Sequence, residues 1–371
     1  MLTVDQVLTR GVEQILPSRA GLKQLMQSKK IRLYLGIDPT ATRLHLGHTV
    51  CLRKLQQFAD LGHEAILLFG TGTVLVGDPS QRNTGRKLIS QKEIDANIKT
   101  WQEQVKPIIN FNKVKIKYNG DWLLKLGLKD LIGIASKISA IQLFKREMFT
   151  RRLNQGDTVW FHETLYPLLQ GYDSVAMDID LELGGTDQTF NMLIGRELMA
   201  KMKHKEKFVL AGKMILGTDG KAMSKTSGNC IWLTDSAEDM YGKLMAVRDE
   251  LMPQYFEFFT DIDKPQGEPL TVKKQLAFTI TAQYHGAVKA KNAQEYFAKT
   301  FQKKEPEFKQ KIKSQENIIL TVAQICGSNS EAKRLISQGA VDVNGVQANW
   351  ETLVKTGDKV KVGKKKFYEV D

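Results

Sequence analysis

The sequence is poor in cysteine and contains no long hydrophobic run. Its 371 residues include three scattered cysteines, Cys51, Cys230 and Cys326, which have neither the pairing of a disulfide framework nor the CxxC spacing of a zinc site. No segment reaches the roughly 18 apolar residues of a membrane span, and the first thirty residues mix their apolar side chains with charges, unlike a signal peptide. We therefore expect a cytoplasmic protein with no membrane partner and no protein-bound metal.

Negative charge is scarce relative to positive charge. The chain carries 54 lysines and arginines against 41 acidic residues, for a net charge of +13 and a pI near 9.4. Such a balance favours a polyanionic partner such as nucleic acid, although basic surfaces also occur without one. The length exceeds what one hydrophobic core normally covers, so we expect two or three domains.

The first half of the chain alternates strand and helix patterns. "IRLYLGI" predicts a strand, "HTVCLRKLQQFADLG" a helix with Leu52, Leu55 and Phe58 on one face, and "HEAILLFGTGTVLVGD" a second buried strand. "VAMDIDLELGGTDQTFNMLIGREL" repeats the order of strand, glycine turn and helix. This alternation predicts an α/β fold with a Rossmann-like parallel sheet, whose ligands bind at the carboxyl ends of the strands.

The rest of the chain predicts two further domains. We expect a catalytic domain over 1–229, with a helical, basic insertion at about 121–165 and a mobile loop at 217–229. An α-helical domain should follow over 230–315, where Ser236 and Asp239 have the spacing of a capping box before a helix. The charged stretch 302–316 is typical of a linker or a frayed helix end, and 316–371 should form a small α+β domain.

Two short motifs suggest a phosphate site. In "LYLGIDPTATRLHLGH", His45 and His48 flank Gly47 at the predicted start of a helix, where free backbone N–H groups and the helix dipole favour an anion. Far downstream, "GKAMSKTSGN" places Lys221 and Lys225 in a glycine-bounded loop. Either motif alone is compatible with a helix cap or a solvated surface loop, but together they predict phosphate binding from two sides.

These motifs carry a family resemblance. "HLGH" resembles the HIGH motif and "AMSKT" the KMSKS motif of class I aminoacyl-tRNA synthetases. With "YLGIDPTATRLHLGH", "GDPS", "YPLLQGYDS", "GGTDQTFN" and "DGKAMSKTSGN" in order, the whole chain resembles the bacterial-type tyrosyl-tRNA synthetases. The resemblance implies ATP and L-tyrosine as substrates, Mg²⁺ carried with ATP, tRNA(Tyr) as acceptor and a homodimer.

The resemblance also implies which residues act on ATP. Attack of a carboxylate on the α-phosphate needs no general base, so catalysis must come from positioning and from stabilising phosphoryl charge. The implied catalytic residues are Thr40, His45, His48, Arg86 and Lys225. The implied ATP-binding residues are Gly36, Asp38, Gly47, Gly185, Asp187, Gln188 and, again, Lys225.

One position departs from the family pattern. The first lysine of KMSKS is replaced by Ala222, and Lys221 stands one place earlier. Either Lys221 takes over that contact, or Lys225 and Arg86 carry the positive charge alone.

Amino-acid recognition is predicted on one helix. Tyr166, Gln170 and Asp173 are spaced i, i+4 and i+7, which puts three polar groups on one helical face among leucines. The resemblance implies that Asp78, Tyr166 and Gln170 hold the substrate ammonium, while Tyr34 and Asp173 bond its phenolic hydroxyl.

The C-terminal segment resembles a small RNA-binding domain named for a small-subunit ribosomal protein. Lys333 and Arg334 lie on a predicted short helix that ends at Gly339, "VDVNG" predicts a strand with an Asn-Gly turn, and residues 364–366 are three lysines on a final strand. The complete set of predicted RNA-binding residues is Lys145, Arg146, Arg151, Arg152, Lys333 and Arg334.

Three alternatives fit part of the sequence. A tryptophanyl enzyme shares the class motifs, but Tyr34 and the RNA-binding tail argue against it. An HxGH nucleotidylyltransferase shares the phosphate chemistry, but it leaves the second half of the chain unexplained. A non-catalytic RNA-binding or splicing paralogue is favoured only by Ala222.

Overall fold

The chain divides into two units, residues Met1–Ala293 and Gln294–Asp371. The domain limits predicted from the sequence remain predictions beside this division. The computed structural model describes residues 2–78, 89–144, 147–223, 227–263, 265–303, 308, 310–315, 317–363 and 366–371.

The first unit contains a six-stranded sheet in the order β1-β6-β5-β2-β3-β4, in which only the β1–β6 pair is antiparallel. The strands are β1 Val12–Leu16, β2 Arg32–Ile37, β3 Glu64–Phe69, β4 Val114–Tyr118, β5 Leu181–Gly185 and β6 Phe208–Gly212. The β3, β5 and β6 runs are almost wholly buried, because helices cover both faces of a parallel sheet. The predicted Rossmann-like α/β fold is confirmed.

Helices precede, connect and follow these strands. The helices before β5 are α1 Val4–Val7, α2 Arg19–Ser28, α3 Leu46–Asp60, α4 Thr73–Val76, α5 Gln91–Val105, α6 Gly120–Leu123, α7 Leu128–Ala135, α8 Ala140–Phe144, α9 Glu147–Asn154 and α10 Leu165–Met177. After β5 come α11 Thr189–Lys203, α12 Ala237–Met245, α13 Met252–Phe259, α14 Pro269–His285 and α15 Ala287–Phe297. Among the described residues, no helix combines the length and the apolar character needed to cross a membrane.

Local sequence signals account for several of these elements. The predicted apolar face of α3 is confirmed, since Leu52, Leu55 and Phe58 are fully buried. Before α12, the Ser236 hydroxyl accepts a hydrogen bond from the Asp239 N–H at 3.1 Å, as the capping spacing predicts.

The predicted second strand is shorter than its apolar run. The strand stops at Phe69, and the chain turns at Gly70 and Gly72 into α4. The turn is held by Asn119, whose side-chain oxygen accepts the Gly72 N–H at 2.7 Å. A contact from a distant segment therefore ends a strand that hydrophobicity alone would extend.

The second unit is a five-stranded sheet with two helices. The sheet order is β7-β11-β10-β8-β9, and the elements are β7 Gln310–Ile312, α16 Ile318–Cys326, α17 Asn329–Ser337, β8 Val341–Val343, β9 Val346–Gln347, β10 Lys359–Val362 and β11 Lys366–Val370. Asn344 and Gly345 have φ of 51° and 84°, so the predicted Asn-Gly hairpin is present between β8 and β9. The predicted linker contains β7, which pairs in parallel with β11 and buries Ile312 in this unit's core.

Candidate active site

The site lies where the sheet reverses its strand order. Strands β2 and β5 are parallel neighbours, and the chain leaves them toward opposite sides of the sheet. Asp38 follows β2, while Asp187 and Gln188 follow β5. Ligands of open α/β sheets bind at such a crevice, because two loops diverge there and leave space.

The two motif histidines form the amino-terminal cap of α3. His45 Nδ1 accepts the Gly47 N–H, and His48 Nδ1 accepts the His45 N–H, each at 3.2 Å. The rings lie 3.9 Å apart between centroids. Because His45 Nδ1 is used as an acceptor, the neutral His45 ring carries its hydrogen on Nε2, where it is a donor suited to an anion. His48 Nδ1 lies 3.2 Å from the His45 carbonyl as well.

The other predicted residues near this helix are positioned by the backbone. The Thr40 N–H donates to the Asp38 carbonyl at 2.8 Å, which closes the turn after β2. Gly36 is an exposed residue of β2. A Cβ at Gly47 would lie 2.9 Å from the His45 ring, so packing of that ring already requires glycine.

The segment that follows the predicted lysine loop is hydrogen-bonded to the histidine motif. The Leu46 N–H donates to the Ile231 carbonyl and the Leu233 N–H to the Leu44 carbonyl, both at 2.9 Å. The Trp232 ring also meets the His45 ring edge-on, with 5.8 Å between centroids. The base of the predicted loop 217–229 is therefore anchored at the site.

Within the loop, Asn229 is buried and donates to the Asp219 carboxylate at 2.8 Å and the Ala222 carbonyl at 3.1 Å. The Lys221 side chain is exposed. Lys225 and Arg86 lie outside the described residues. The question raised by Ala222 therefore stays open.

A hydrogen-bonded chain links the loops after β2, β3 and β4. The Tyr166 hydroxyl donates to Asp38 Oδ2 at 3.1 Å, and Thr73 Oγ1 donates to Asp38 Oδ1 at 2.7 Å. Asn119 Nδ2 in turn donates to Thr73 Oγ1 at 3.0 Å. The Asp38 carboxylate fills the space beside Gly70, where a Cβ would lie 1.9 Å from Asp38 Oδ1.

Asp173 is a buried carboxylate held by two N–H donors. Its oxygens accept hydrogen bonds from Asn119 Nδ2 at 3.0 Å and Trp122 Nε1 at 2.8 Å. Burial raises the pKa of Asp173 well above its usual range, and the two donors oppose that shift. A carboxylate has about four lone-pair sites, so it can still accept a hydrogen bond from a ligand hydroxyl.

Tyr34 lies at the same end of the sheet but does not bond Asp173 directly. Its hydroxyl is 3.2 Å from Ser174 Oγ and 3.4 Å from the Gln170 carbonyl. Burial, together with the nearby carboxylates of Glu182 and Asp173, raises the pKa of Tyr34 well above its usual value. The Tyr34 hydroxyl is thus held as a neutral hydrogen-bond donor.

The loop after β5 forms a second polar cluster. Gln188 Nε2 donates to Asp78 Oδ2 at 2.8 Å and to Asp187 Oδ2 at 3.2 Å. Asn191 Nδ2 donates to Gln188 Oε1 at 3.0 Å. A Cβ at Gly185 would lie 2.5 Å from Asp187 Oδ1, which explains the glycine at this strand end.

The predicted RNA-binding residues differ in accessibility. Arg151, Lys333 and Arg334 are exposed. Arg152 is buried, and its guanidinium is bonded to the Glu163 carboxylate at 2.7 Å. Its role as an RNA contact stays a prediction, and burial beside a carboxylate weighs against it, because such a cation is not presented to phosphates. The predicted residues Lys145 and Arg146, like the lysines at 364 and 365, lie outside the described residues.

Several residues of the site were missed by sequence reasoning. Asn119 directly follows β4, so the strand-end rule that selected Asp38 could have found it. No local signal marks the others, because the groups that their side chains bond are 12 or more residues away in sequence. They are Thr73, Trp122, Glu182 and Lys207.

Comparison with known proteins identifies the class. A family described as tRNA synthetases class I (W and Y) matches residues 26–321. This match shows that the chain belongs to the class I tRNA synthetases of this group.

Curated relatives narrow the class. The tyrosine–tRNA ligase of Thermotoga maritima is 40% identical, covering 98% of this chain and 96% of that protein. The tyrosine–tRNA ligase of Aquifex aeolicus is 37% identical, covering 98% and 97%. The chain belongs to the tyrosine–tRNA ligase family.

Solved structures show the same fold. A C-terminally truncated mitochondrial tyrosyl-tRNA synthetase from Aspergillus nidulans superposes with a TM-score of 0.70 at 20% identity, covering 80% of this chain and 94% of that one. A tyrosyl-tRNA synthetase from Archaeoglobus fulgidus, solved with L-tyrosine, gives a TM-score of 0.62 at 18% identity, covering 78% and 99%.

Proposed function

We propose that this protein is a tyrosine–tRNA ligase that works in two steps. In the first, a carboxylate oxygen of L-tyrosine attacks the α-phosphorus of ATP, and the bond to the bridging oxygen breaks to release pyrophosphate. In the second, the 3′-terminal adenosine hydroxyl of tRNA(Tyr) attacks the tyrosyl carbonyl, and AMP leaves. ATP enters with Mg²⁺ bound to its phosphates, as a substrate complex.

The nucleotide side of the reaction is assigned to the amino-terminal end of α3 and the loop after β5. His45 and His48 donate from Nε2 to phosphoryl oxygens, where negative charge develops. Thr40 adds a hydroxyl, and Asp187 binds the ribose hydroxyls. Lys225 and Arg86 neutralise the departing pyrophosphate; they lie outside the described residues, and their assignment rests on the family resemblance.

The tyrosine side rests chiefly on one observation, the buried Asp173 carboxylate oriented by Asn119 and Trp122. A phenolic O–H that donates to Asp173 satisfies a group otherwise costly to bury. Tyr34 donates to the same phenolic oxygen, while Asp78, Tyr166 and Gln170 surround the ammonium. Phenylalanine lacks the hydroxyl and leaves these groups unpaired.

We further propose a homodimer that acts in the cytoplasm and binds tRNA through its basic surfaces. The dimer is supported by nine large apolar side chains that are exposed within residues 124–161, a concentration typical of an interface. The cytoplasmic location is supported by three cysteines that form no disulfide. The net charge of +13 suits a polyanionic partner.

The test is amino-acid-dependent exchange of pyrophosphate into ATP with tyrosine, tryptophan or phenylalanine. Of the three amino acids, only tyrosine should support strong exchange, and Asp173→Asn should abolish most of that exchange. Asp178→Asn, just past the end of the same helix, is the matched control; Asp178 is the C-cap with φ of 52°, which asparagine tolerates. A preference for tryptophan, or no exchange with any amino acid, would overturn the proposal.

A further inference from the structure

Beneath the proposed tyrosine pocket lies a buried ion pair that the reaction does not obviously use. Lys207, just before β6, and Glu182, in β5, are 0% and 1% exposed, and they bond one another directly. Lys207 Nζ also donates to Ser174 Oγ at 2.9 Å and to the Met192 carbonyl at 3.1 Å. Three acceptors therefore match the three hydrogens of the ammonium.

Stability is a weak explanation for such a pair. Desolvation of two charges commonly cancels their mutual attraction, and apolar residues of similar volume often serve a core as well or better. Burial accordingly lowers the pKa of Lys207, while the charge of Glu182 opposes that shift. The question is what the Glu182 carboxylate does for its other neighbours.

The second oxygen of Glu182 determines how Gln170 is oriented. Glu182 Oε1 accepts a hydrogen bond from Gln170 Nε2 at 3.0 Å. A carboxylate can only accept, so the amide nitrogen must face it and the amide oxygen must point the other way. Gln170 Oε1 is buried and has no hydrogen-bond partner among the described residues. It is an acceptor available for a ligand.

We propose that Glu182 and Lys207 are a positioning pair, which fixes the Gln170 amide so that its oxygen accepts a hydrogen bond from the ammonium of the amino-acid substrate. Lys207 holds the Glu182 side chain in place, and Glu182 selects the amide orientation. The inference rests on the proposed role of Gln170 in tyrosine binding. It assigns specificity for an ammonium group to two residues that do not touch the substrate.

The sharpest test is Glu182→Gln. Lys207 is a donor only, so the new glutamine must turn its oxygen toward Lys207 and its nitrogen toward Gln170. Gln170 Oε1 must then accept the hydrogen bond from the new glutamine. The Gln170 amide hydrogens would face the pocket, where they repel an ammonium. A nearly isosteric change therefore inverts the polarity of the pocket at one point.

Dissociation constants should be measured for tyrosine, for tyramine, which keeps the ammonium, and for 3-(4-hydroxyphenyl)propionate, which lacks it. Glu182→Gln should raise the dissociation constants of tyrosine and tyramine by about 5- to 30-fold. It should leave the dissociation constant of the propionate within about twofold of the wild-type value. The double variant Glu182→Met/Lys207→Met, which leaves no unpaired charge, should show a smaller loss with the same selectivity.

Asp180→Asn is the matched control. Asp180 is a buried carboxylate just before β5, bonded to Lys29 at 2.7 Å and Lys205 at 3.0 Å. The Asp180→Asn variant should have a lower Tm and unchanged relative affinities for the three ligands.

Equal weakening of all three ligands in both Glu182 variants would show a purely structural pair and overturn the inference. If the wild-type protein binds neither tyrosine nor tyramine, the proposed function itself fails.

Discussion

At the scale of single residues, some side chains of the site lie where the Cβ of a neighbouring residue would be, so that residue must be glycine. Gly70 is the clearest case, because the Asp38 carboxylate and the Thr73 hydroxyl both lie where a side chain would begin. The residue has no chemistry of its own, yet it allows Asp38 to accept from both Thr73 and Tyr166. Its contribution to function is steric.

We therefore predict that Gly70→Ala lowers kcat/KM for tyrosine in pyrophosphate exchange by roughly 10- to 100-fold. Its Cβ would lie 1.9 Å from Asp38 Oδ1 and 2.4 Å from Thr73 Oγ1, so Asp38 must move and its charge-assisted hydrogen bonds are lost. Gly242→Ala, in helix α12 with open space around its Cβ, is the control and should leave exchange unchanged. Equal activity of the two variants would contradict the role given to Asp38.

At the scale of elements, charge pairs tie three parallel strands together. Glu64 in β3 bonds Arg32 of β2 at 2.9 Å and Lys115 of β4 at 2.8 Å. The hydrogen bond from Lys115, aided by Arg32, lowers the pKa of Glu64 to about 2. The folded state therefore holds this carboxylate ionised at a pH where the unfolded chain would protonate it.

The stabilisation from Glu64 should depend on acidity in a defined window. Because its folded pKa is depressed, the contribution is complete above the unfolded value of about 4.5 and is lost as the pH falls toward 2. Glu64→Gln should cost roughly 1–2 kcal/mol at pH 7, allowing for the partial exposure of its partners.

The measurement is Tm of both proteins between pH 7 and pH 3. Their difference should shrink below pH 4.5, and a constant difference would rule out the ion pairs as its source.

At the scale of the whole molecule, the insertion presents apolar surface that a monomer would leave in water. On helix α7, Leu128 and Ile132 are 75% and 59% exposed, and Trp160 and Phe161 follow at 58% and 75%. Burying such side chains is favourable by about 25 cal/mol per Å² of apolar surface. A second copy of the chain is the occupant we propose.

Ile132→Glu should therefore convert the protein to a monomer in light scattering coupled to size exclusion. A charge introduced into an apolar interface remains unpaired when buried, which disfavours association. Val288→Glu, also at a highly exposed apolar position but on α15, is the control and should keep the wild-type mass. A wild-type protein that is already monomeric at micromolar concentration would refute the dimer.

The second unit should be separable from the chemistry. Removal of residues 304–371 takes away the whole five-stranded sheet, including β7, and should leave pyrophosphate exchange within about twofold. Charging of tRNA should fall, and the remaining tRNA binding should depend less steeply on salt because fewer phosphates are neutralised. Undiminished charging at moderate salt would mean that this unit has another role.

Local signals determined much of the architecture. The apolar face of α3, the Ser236 cap and the Asn344-Gly345 hairpin depend on neighbours a few residues away, so the sequence predicts them directly. The position of Asp38 and Asp187 after parallel strands follows in the same way, since such strands end at one edge of the sheet.

Only the tertiary structure decided which polar groups meet. Asn119 and Asp173 are 54 residues apart, and Glu182 and Lys207 are 25 apart, yet each pair is in direct contact. Arg152 resembles a surface cation in sequence and is instead buried against Glu163. A side chain's partner depends on how distant segments pack, because desolvation forces each buried charge to find an opposite charge or a hydrogen bond wherever the fold supplies one.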